Sequence, residues 1–229
     1  MHSDALTSAL ANCDAILFDF DGPICNVFQG LPAPEVAKQL AVLLAKLAPE
    51  LADEAHSTDD PMVVHQLARE GGQDVLAAVE AALTDAEVRA SSVAGAPTSG
   101  AVETMTAARA SGRRVAVVSN NSADCVHAYL SAQGLSGAVE AVIGRPILRP
   151  DPMEPSPHPL LEAATILSVS PECSALIGDS VSDIEAARAA GVGSIGFANK
   201  TDREEALAAA GAGAVVTTMQ SITIDFRAP

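Results

Sequence analysis

The sequence predicts an α/β fold in which a doubly wound parallel sheet carries an inserted all-helical domain. From Thr98 onward, short apolar runs alternate with helical stretches, and strands separated by helices of this length pair in parallel with helices on both faces. Residues 31–94 are instead rich in Ala, Leu, Glu and Gln and contain no β-branched run. We therefore assign residues 1–28 and 95–229 to the α/β core domain and residues 29–94 to the helical insert.

The first strand ends in a pair of acids. The run Ala15-Ile16-Leu17-Phe18 has the length and composition of a fully buried strand, and Asp19 and Asp21 follow where it stops. Gly22 and Pro23 then turn the chain away. In open parallel sheets the ligand crevice lies outside the carboxyl ends of the strands, so acids at this position are placed for chemistry.

The insert contains helical periodicity and helix start signals. Leucines 40, 43, 44 and 47 recur at helical spacing after Pro34, which is tolerated in a first turn. Thr58, Asp59 and Asp60 followed by Pro61 indicate the start of a second helix. The expected helices cover residues 34–47, 60–69, 72–82 and 84–92.

The remainder of the chain predicts alternating helices and strands. Residues 144–159 hold prolines at 146, 150, 152, 155, 157 and 159 and must form a loop. The expected strands cover residues 114–118, 139–143, 174–177, 193–197 and 214–217, and the expected helices cover residues 99–111, 123–133, 160–168, 182–190 and 202–210.

Polar residues follow several of these strands. Ser119 and Asn120 end the second strand, Asp179 ends the strand at 174–177, and Asp183 lies one helical turn later. Because the carboxyl ends of parallel strands share one edge of the sheet, we expect these residues to meet Asp19 and Asp21 in one crevice, together with the proline-rich loop around Glu154.

The residue types suit phosphoryl transfer. A carboxylate such as Asp19 can act as a nucleophile, and a second one such as Asp21 can protonate the leaving group and then activate water. Carboxylates at Asp179 and Asp183 supply the hard oxygen ligands that Mg²⁺ prefers. Ser119 and backbone amides at the start of the following helix can bind phosphoryl oxygens.

Composition limits the partners. The formal net charge of −16 argues against nucleic acid or an anionic membrane as a partner. No basic leader followed by an apolar segment and no stretch near 18 apolar residues is present, so we expect residence in the cytoplasm. The four cysteines lack CxxC spacing and indicate neither a zinc site nor a disulfide framework. The oligomeric state is left open by the sequence.

The motifs resemble those of the haloacid dehalogenase (HAD) superfamily of hydrolases. Asp19-Phe20-Asp21-Gly22-Pro23 is similar to the family's first motif, DxDGx, and Ser119 is similar to the second. Gly178-Asp179-Ser180-Val181-Ser182-Asp183 is similar to the fourth, GDSxxD. The resemblance implies a Rossmann-like core with a C1-type helical cap formed by the insert.

The resemblance also implies roles for individual residues. Asp19, the backbone carbonyl of Asp21 and Asp179 would bind Mg²⁺, with Asp183 nearby as a ligand through water or as an orienting group. The retained acid at Asp21 is similar to the phosphatase branch, whereas dehalogenases and phosphonatases lack it. We therefore expect a phosphoric monoester hydrolase that acts on a small phosphorylated metabolite through an aspartyl-phosphate. The expected phosphate-binding residues are Ser119, Asn120, Gly22 and Arg149.

The third motif departs from the family pattern. Related phosphatases carry a lysine in Lys-Pro-x-Pro, and the matching segment here begins with Glu154. Three explanations are open. In the first, Arg145 or Arg149 replaces that cation, and in the second, Glu154 turns away and leaves Mg²⁺ and backbone amides to hold the phosphate. In the third, the chain is a weak or inactive binding or regulatory protein on the same fold. An offset of the alignment within the proline-rich loop is a further alternative.

The insert offers further candidates for substrate contact. Asn26 and Phe28 follow the first motif and are the stronger candidates. Basic side chains within the insert are weaker ones, because most helical charges form a solvated face; they are Lys38, Lys46, His56, His65, Arg69 and Arg89.

Overall fold

The computed structural model describes residues 2–149, 153 and 155–227 and contains a six-stranded parallel sheet. The strand order is β3-β2-β1-β4-β5-β6, so the chain runs outward from β1 on one side and then crosses to the other. The crossing point lies between β1 and β4. The strands are β1 Ala15–Asp19, β2 Arg114–Val118, β3 Ala141–Ile143, β4 Ser174–Gly178, β5 Gly193–Phe197 and β6 Ala214–Val216.

Continuous apolar runs make the central strands because both faces of the sheet are covered. In β1, Ile16 and Phe18 pack into one hydrophobic cluster, while Ala15 and Leu17 pack into the cluster on the opposite face. All four side chains are fully buried. Burial on both faces removes the polar alternation that an antiparallel sheet would show. The predicted fold class is confirmed by this topology.

The helices surround the sheet and form the insert. Short 3-10 turns at Pro49–Leu51, Ala68–Gly71, Ser136–Ala138 and Pro171–Cys173 join them. The helices are α1 His2–Leu10, α2 Ala33–Leu47, α3 Ala52–Ala55, α4 Pro61–Leu67, α5 Gln73–Val93, α6 Ala101–Ala110, α7 Ala123–Ala132, α8 His158–Leu167, α9 Val181–Ala190, α10 Arg203–Ala210 and α11 Met219–Arg227.

Helix α5 corrects the prediction of two helices at 72–82 and 84–92. It runs without a break for 21 residues from Gln73 to Val93. No proline or glycine lies within it, and buried positions continue at helical spacing through Leu83 and Ala86. Its N-terminal part packs inside the insert, whereas Ala90 belongs to the cluster of the core.

The insert has a hydrophobic cluster of its own. Val36, Leu40 and Leu44 of α2 pack there with Val64 of α4 and Val79 of α5. We use the name cap segment for residues 29–94. Within the described residues, no helix combines the length and hydrophobicity needed to cross a bilayer.

Candidate active site

A cavity of about 510 Å³ lies at the carboxyl ends of β1 and β4, where the strand order reverses. This crossing point is where open α/β sheets bind their ligands. The predicted residues Asp19, Asp21, Ser119 and Asn120 line the cavity, as do Asp179 and Asp183. The lining also includes Asn121, Ser180 and Ser182 from the core and Phe28, Ala33, Asp59, Asp60, Pro61 and Met62 from the linker and the cap segment.

Three of the carboxylates form a compact cluster. Asp19, Asp179 and Asp183 each offer an oxygen atom, and these atoms lie within 4.8 Å of one another. All three residues are at most 9% exposed. Carboxylates held this close repel one another unless a cation lies between them, and an all-oxygen donor set is the type that Mg²⁺ prefers. The residues present therefore fit a magnesium ion.

Two glycines allow this close packing. Gly22 has φ of +110°, and a Cβ atom there would lie 2.5 Å from both Cγ and Oδ2 of Asp179. A Cβ atom at Gly178 would lie 2.5 Å from Cβ and Oδ2 of Asp183. Any side chain at either position would push a carboxylate out of the cluster. These contacts explain why glycines accompany the acids in both motifs.

Asp183 also takes part in capping the N-terminus of helix α9. Its Oδ2 accepts a hydrogen bond from the backbone N–H of Ser180 at 2.8 Å, and the Ser180 hydroxyl accepts one from the N–H of Asp183 at 3.1 Å. This reciprocal capping box fixes the position of the carboxylate. One oxygen of Asp183 is thus used by the helix terminus.

Asp179 is held by two residues that follow β5. Asn199 Nδ2 donates to Asp179 Oδ2 at 2.7 Å, and Arg203 forms an ion pair with the same oxygen and donates to the Asp179 carbonyl. Burial raises the pKa of Asp179 to about 6, although Arg203 and Asn199 act in the opposite direction. Arg203 lies outside the described lining of the cavity but contacts Asp179 directly, and the sequence analysis missed it.

Asp21 has the environment of a proton donor. Burial raises the pKa of its carboxyl group, against the lowering effects of the hydrogen bond from Val27 N and the charges of Arg203 and Lys200. The Val27 N–H donates to Asp21 Oδ1 at 2.9 Å and fixes the side chain. A carboxyl group with a raised pKa can hold a proton at a pH closer to neutrality than an ordinary aspartate.

The loop after β2 forms another wall of the cavity. The Ser119 hydroxyl accepts a hydrogen bond from the Asn121 N–H at 3.1 Å, and the Ser122 N–H donates to Glu87 Oε2 at 2.9 Å. These two amides are therefore already bonded within the protein. The expectation that amides at this helix start bind phosphate is corrected for these two, because Ser119 and a cap-segment carboxylate occupy them.

Arg145 does not line the cavity, so the idea that it replaces the missing lysine is wrong. Its side chain is fully buried and forms ion pairs with Glu80 at 2.8 Å and Glu87 at 2.7 Å, both on α5. It also donates to the Asn120 carbonyl at 2.9 Å. On the other side, His65 Nε2 lies 2.7 Å from Glu80 Oε2. Arg145 thus ties the loop after β2 to the cap segment.

Other predicted contacts lie away from the cavity or outside the described residues. Arg149 is exposed and is absent from the described lining, and Glu154 lies outside the described residues. Phe28 lines the cavity as expected, whereas Asn26 does not. The basic candidates of the cap segment are also absent from the described lining; they are Lys38, Lys46, His56, His65, Arg69 and Arg89.

Sequence comparisons match one family model over most of the chain and curated relatives over part of their length. Residues 13–191 match the model of the haloacid dehalogenase-like hydrolases. A phosphoglycolate phosphatase of Nitrosococcus oceani is 40% identical over 82 residues, which is 36% of this chain and 36% of that protein. Another from Salmonella paratyphi A is 34% identical over 106 residues, or 46% of this chain and 41% of that protein. The matches thus span less than half the length of these curated relatives.

Solved structures share the fold over nearly the whole chain. A HAD family hydrolase from Deinococcus radiodurans R1, with bound phosphate and sodium, has a TM-score of 0.59 and 25% identity, covering 93% of this chain and 94% of that chain. CbbY from Rhodobacter sphaeroides in complex with phosphate has a TM-score of 0.66 and 22% identity, with coverages of 90% and 95%. The latter likeness shows a common fold alone.

Proposed function

The chain belongs to the haloacid dehalogenase-like hydrolases, and from this premise we propose that it is a magnesium-dependent phosphatase of small phosphorylated metabolites. One observation carries the proposal. Asp19 and Asp21 leave the end of β1 beside Asp179 and Asp183, and all four line one cavity. This arrangement supplies a nucleophile, a proton donor and a set of oxygen ligands at one place.

Asp19 is the nucleophile and Asp21 the general acid and base. A carboxylate oxygen of Asp19 attacks phosphorus to form an aspartyl-phosphate, while the protonated Asp21 gives its proton to the departing alcohol oxygen. The Asp21 carboxylate then takes a proton from the water that attacks phosphorus, which releases inorganic phosphate and restores Asp19. The raised pKa of Asp21 supports this assignment, because the first step needs the protonated form.

Asp19, Asp179 and Asp183 would hold the metal ion, together with the carbonyl of Asp21. Bound there, Mg²⁺ supplies positive charge that offsets the repulsion between the attacking carboxylate and the phosphate. The short distances among the three carboxylates and their burial support this role.

Ser119, Asn120 and Gly22 are assigned to the phosphate. Ser119 and Asn120 line the cavity, and Gly22 lies against Asp179. We assign to Arg203 the charge that the family's lysine supplies elsewhere, because it contacts Asp179 and acts on Asp21 as well. The Arg149 assignment has no such contact in its favour.

The net charge of −16 supports a small metabolite rather than nucleic acid or a membrane as the partner, and we place the protein in the cytoplasm. Residues 29–94 are proposed to act as a cap over the cavity, because Asp59, Pro61 and Met62 line it from that side. A binding or regulatory protein on the same fold is the second candidate, favoured by the acidic lining of the cavity.

Hydrolysis of p-nitrophenyl phosphate with and without Mg²⁺ tests the proposal. We expect turnover that requires the metal and that falls by at least about a thousandfold in Asp19→Asn, since the amide is a poor nucleophile. Arg203→Gln should lower kcat while retaining the fold. Absence of turnover on a broad panel of phosphate esters, with Mg²⁺ still bound, would establish the binding protein instead. Hydrolysis that survives in Asp19→Asn would exclude the proposed nucleophile.

A further inference from the structure

The wall of the cavity opposite the sheet carries acidic side chains and no basic ones among the described residues. Its members are Phe28, Ala33, Asp59, Asp60, Pro61 and Met62. The only charged side chains in this set are the two carboxylates. In the proposed reaction this wall faces the leaving group, because the sheet side of the cavity holds the phosphate-binding residues and the acid cluster.

Three basic residues of the cap segment lie away from these charges. Lys38 and Lys46 are exposed on α2, and neither is part of the described cavity lining. His65 is buried against Glu80, whose other oxygen pairs with Arg145. A negatively charged leaving group would therefore meet two carboxylates at this wall, whose described lining residues include no basic side chain.

Local hydrogen bonds fix the position of Asp60. Asp60 is the N-cap of α4, and its Oδ1 accepts a hydrogen bond from the Met62 N–H at 2.8 Å. The Asp60 N–H donates to the Thr58 hydroxyl at 3.1 Å. Pro61 follows at the first helical position, where its fixed φ favours the helix. Asp60 is thus held at the N-cap of α4, and Asp59 directly precedes it in the segment that leads into the helix.

We propose that the site selects phosphate monoesters whose leaving group carries an ammonium group, through Asp59 and Asp60. The inference rests on the proposed phosphatase function. Opposite charges a few ångströms apart attract and like charges repel, so an ammonium group is favoured over a carboxylate at this wall. The phosphoglycolate phosphatases that match this chain do so over less than half of its length, and their leaving group carries a carboxylate.

Three two-carbon substrates of similar size test the inference. They are 2-aminoethyl phosphate, 2-hydroxyethyl phosphate and phosphoglycolate, whose terminal groups are positive, neutral and negative. With Mg²⁺ present we expect kcat/KM to fall in that order, by about tenfold or more between the first and the last. The ranking is the readout, so differences in overall activity do not enter it.

A charge-only double variant connects the ranking to the wall. Asp59→Asn combined with Asp60→Asn removes both charges and preserves the helix start, because Asn caps a helix as well as Asp does. We expect the ratio of kcat/KM for 2-aminoethyl phosphate to that for phosphoglycolate to fall by about tenfold. Asp53→Asn is the matched control, since Asp53 is exposed on α3 outside the described lining and its change should keep the wild-type ratio.

The outcomes separate this inference from the proposed function. Hydrolysis of p-nitrophenyl phosphate with a flat or reversed ranking overturns the charge selection alone. An unchanged ratio in the double variant overturns the role of Asp59 and Asp60. Failure to hydrolyse any of the four esters overturns the phosphatase proposal and this inference with it.

Discussion

Gly22 packs directly against a carboxylate of the acid cluster. Its φ of +110° and the 2.5 Å separation between a hypothetical Cβ and Asp179 Cγ leave no room for a side chain. We predict that Gly22→Ala displaces Asp179 and lowers kcat for p-nitrophenyl phosphate by about a hundredfold or more, because the cluster no longer closes on the metal. Steady-state kinetics with saturating Mg²⁺ measure the effect.

Gly112 provides the matched control for this substitution. It has φ of +88°, and a Cβ atom there meets nothing within 4 Å. Both alanine variants should lose roughly 1 to 2 kcal/mol of unfolding free energy from backbone strain, but Gly112→Ala should keep the wild-type kcat. Equal activities in the two variants would show that contact with Asp179 is irrelevant.

The acids of the core domain could be predicted residue by residue, whereas the cap-segment residues that line the cavity could not. Asp19, Asp21 and Asp179 stand at or just after strand ends, Asp183 lies in the first turn of the following helix, and the parallel order of the strands brings the four together. Asp60 was recognised as a helix start, but its place in the cavity depends on how α4 packs. Arg203 was missed for the same reason, since its contact with Asp179 crosses 24 residues of chain.

Helix α5 connects the cap segment to the loop after β2 through a buried charge cluster. Arg145 lies between Glu80 and Glu87, and Glu87 also accepts hydrogen bonds from the Asn121 side chain and the Ser122 N–H. Removing the Arg145 guanidinium leaves the buried carboxylates of Glu80 and Glu87 without their shared cation. We predict that Arg145→Met costs about 3 to 5 kcal/mol of unfolding free energy, measured by urea denaturation.

An exposed ion pair serves as the comparison for Arg145. Arg114 and Glu140 lie 2.8 Å apart, with side chains 40% and 34% exposed. Glu140→Gln should cost less than about 1 kcal/mol, because solvent screens the pair. Combining Arg145→Met with Glu80→Gln and Glu87→Gln should recover part of the loss. A cost below 1 kcal/mol for Arg145→Met alone would contradict the role of the cluster.

The same cluster predicts that the free energy of unfolding depends on pH. Burial raises the pKa of Glu80, but hydrogen bonds from His65 and Arg145 outweigh it and hold the pKa at about 2, below the ordinary 4.5. Since the folded pKa is the lower one, the stabilisation is complete above pH 4.5 and is lost as the pH falls toward 2. The unfolding free energies of wild type and Glu80→Gln should therefore converge over this range. A difference that stays constant would contradict the assignment.

For the whole molecule, the sequence predicted the sheet and the insert because their signals are local. Buried strands show in the sequence as continuous apolar runs, and the insert lacks such runs. The terminal helices α1 and α11 were not predicted; Leu6 of α1 and Phe226 of α11 are buried in the core cluster by tertiary contacts. The join of two predicted helices into α5 likewise depends on packing against both the cap segment and the core.

The central claim is that the phosphoryl group is transferred to the Asp19 carboxylate before hydrolysis. The mass of the acid-quenched protein tests this claim most directly. p-Nitrophenol leaves without much help from an acid, so Asp21→Asn should still form the aspartyl-phosphate with Mg²⁺ present but hydrolyse it slowly. We predict that one phosphoryl group accumulates on the peptide containing Asp19 in Asp21→Asn and that none is found in Asp19→Asn. Wild-type hydrolysis with no phosphorylated protein in Asp21→Asn, or a label that persists in Asp19→Asn, would contradict the account.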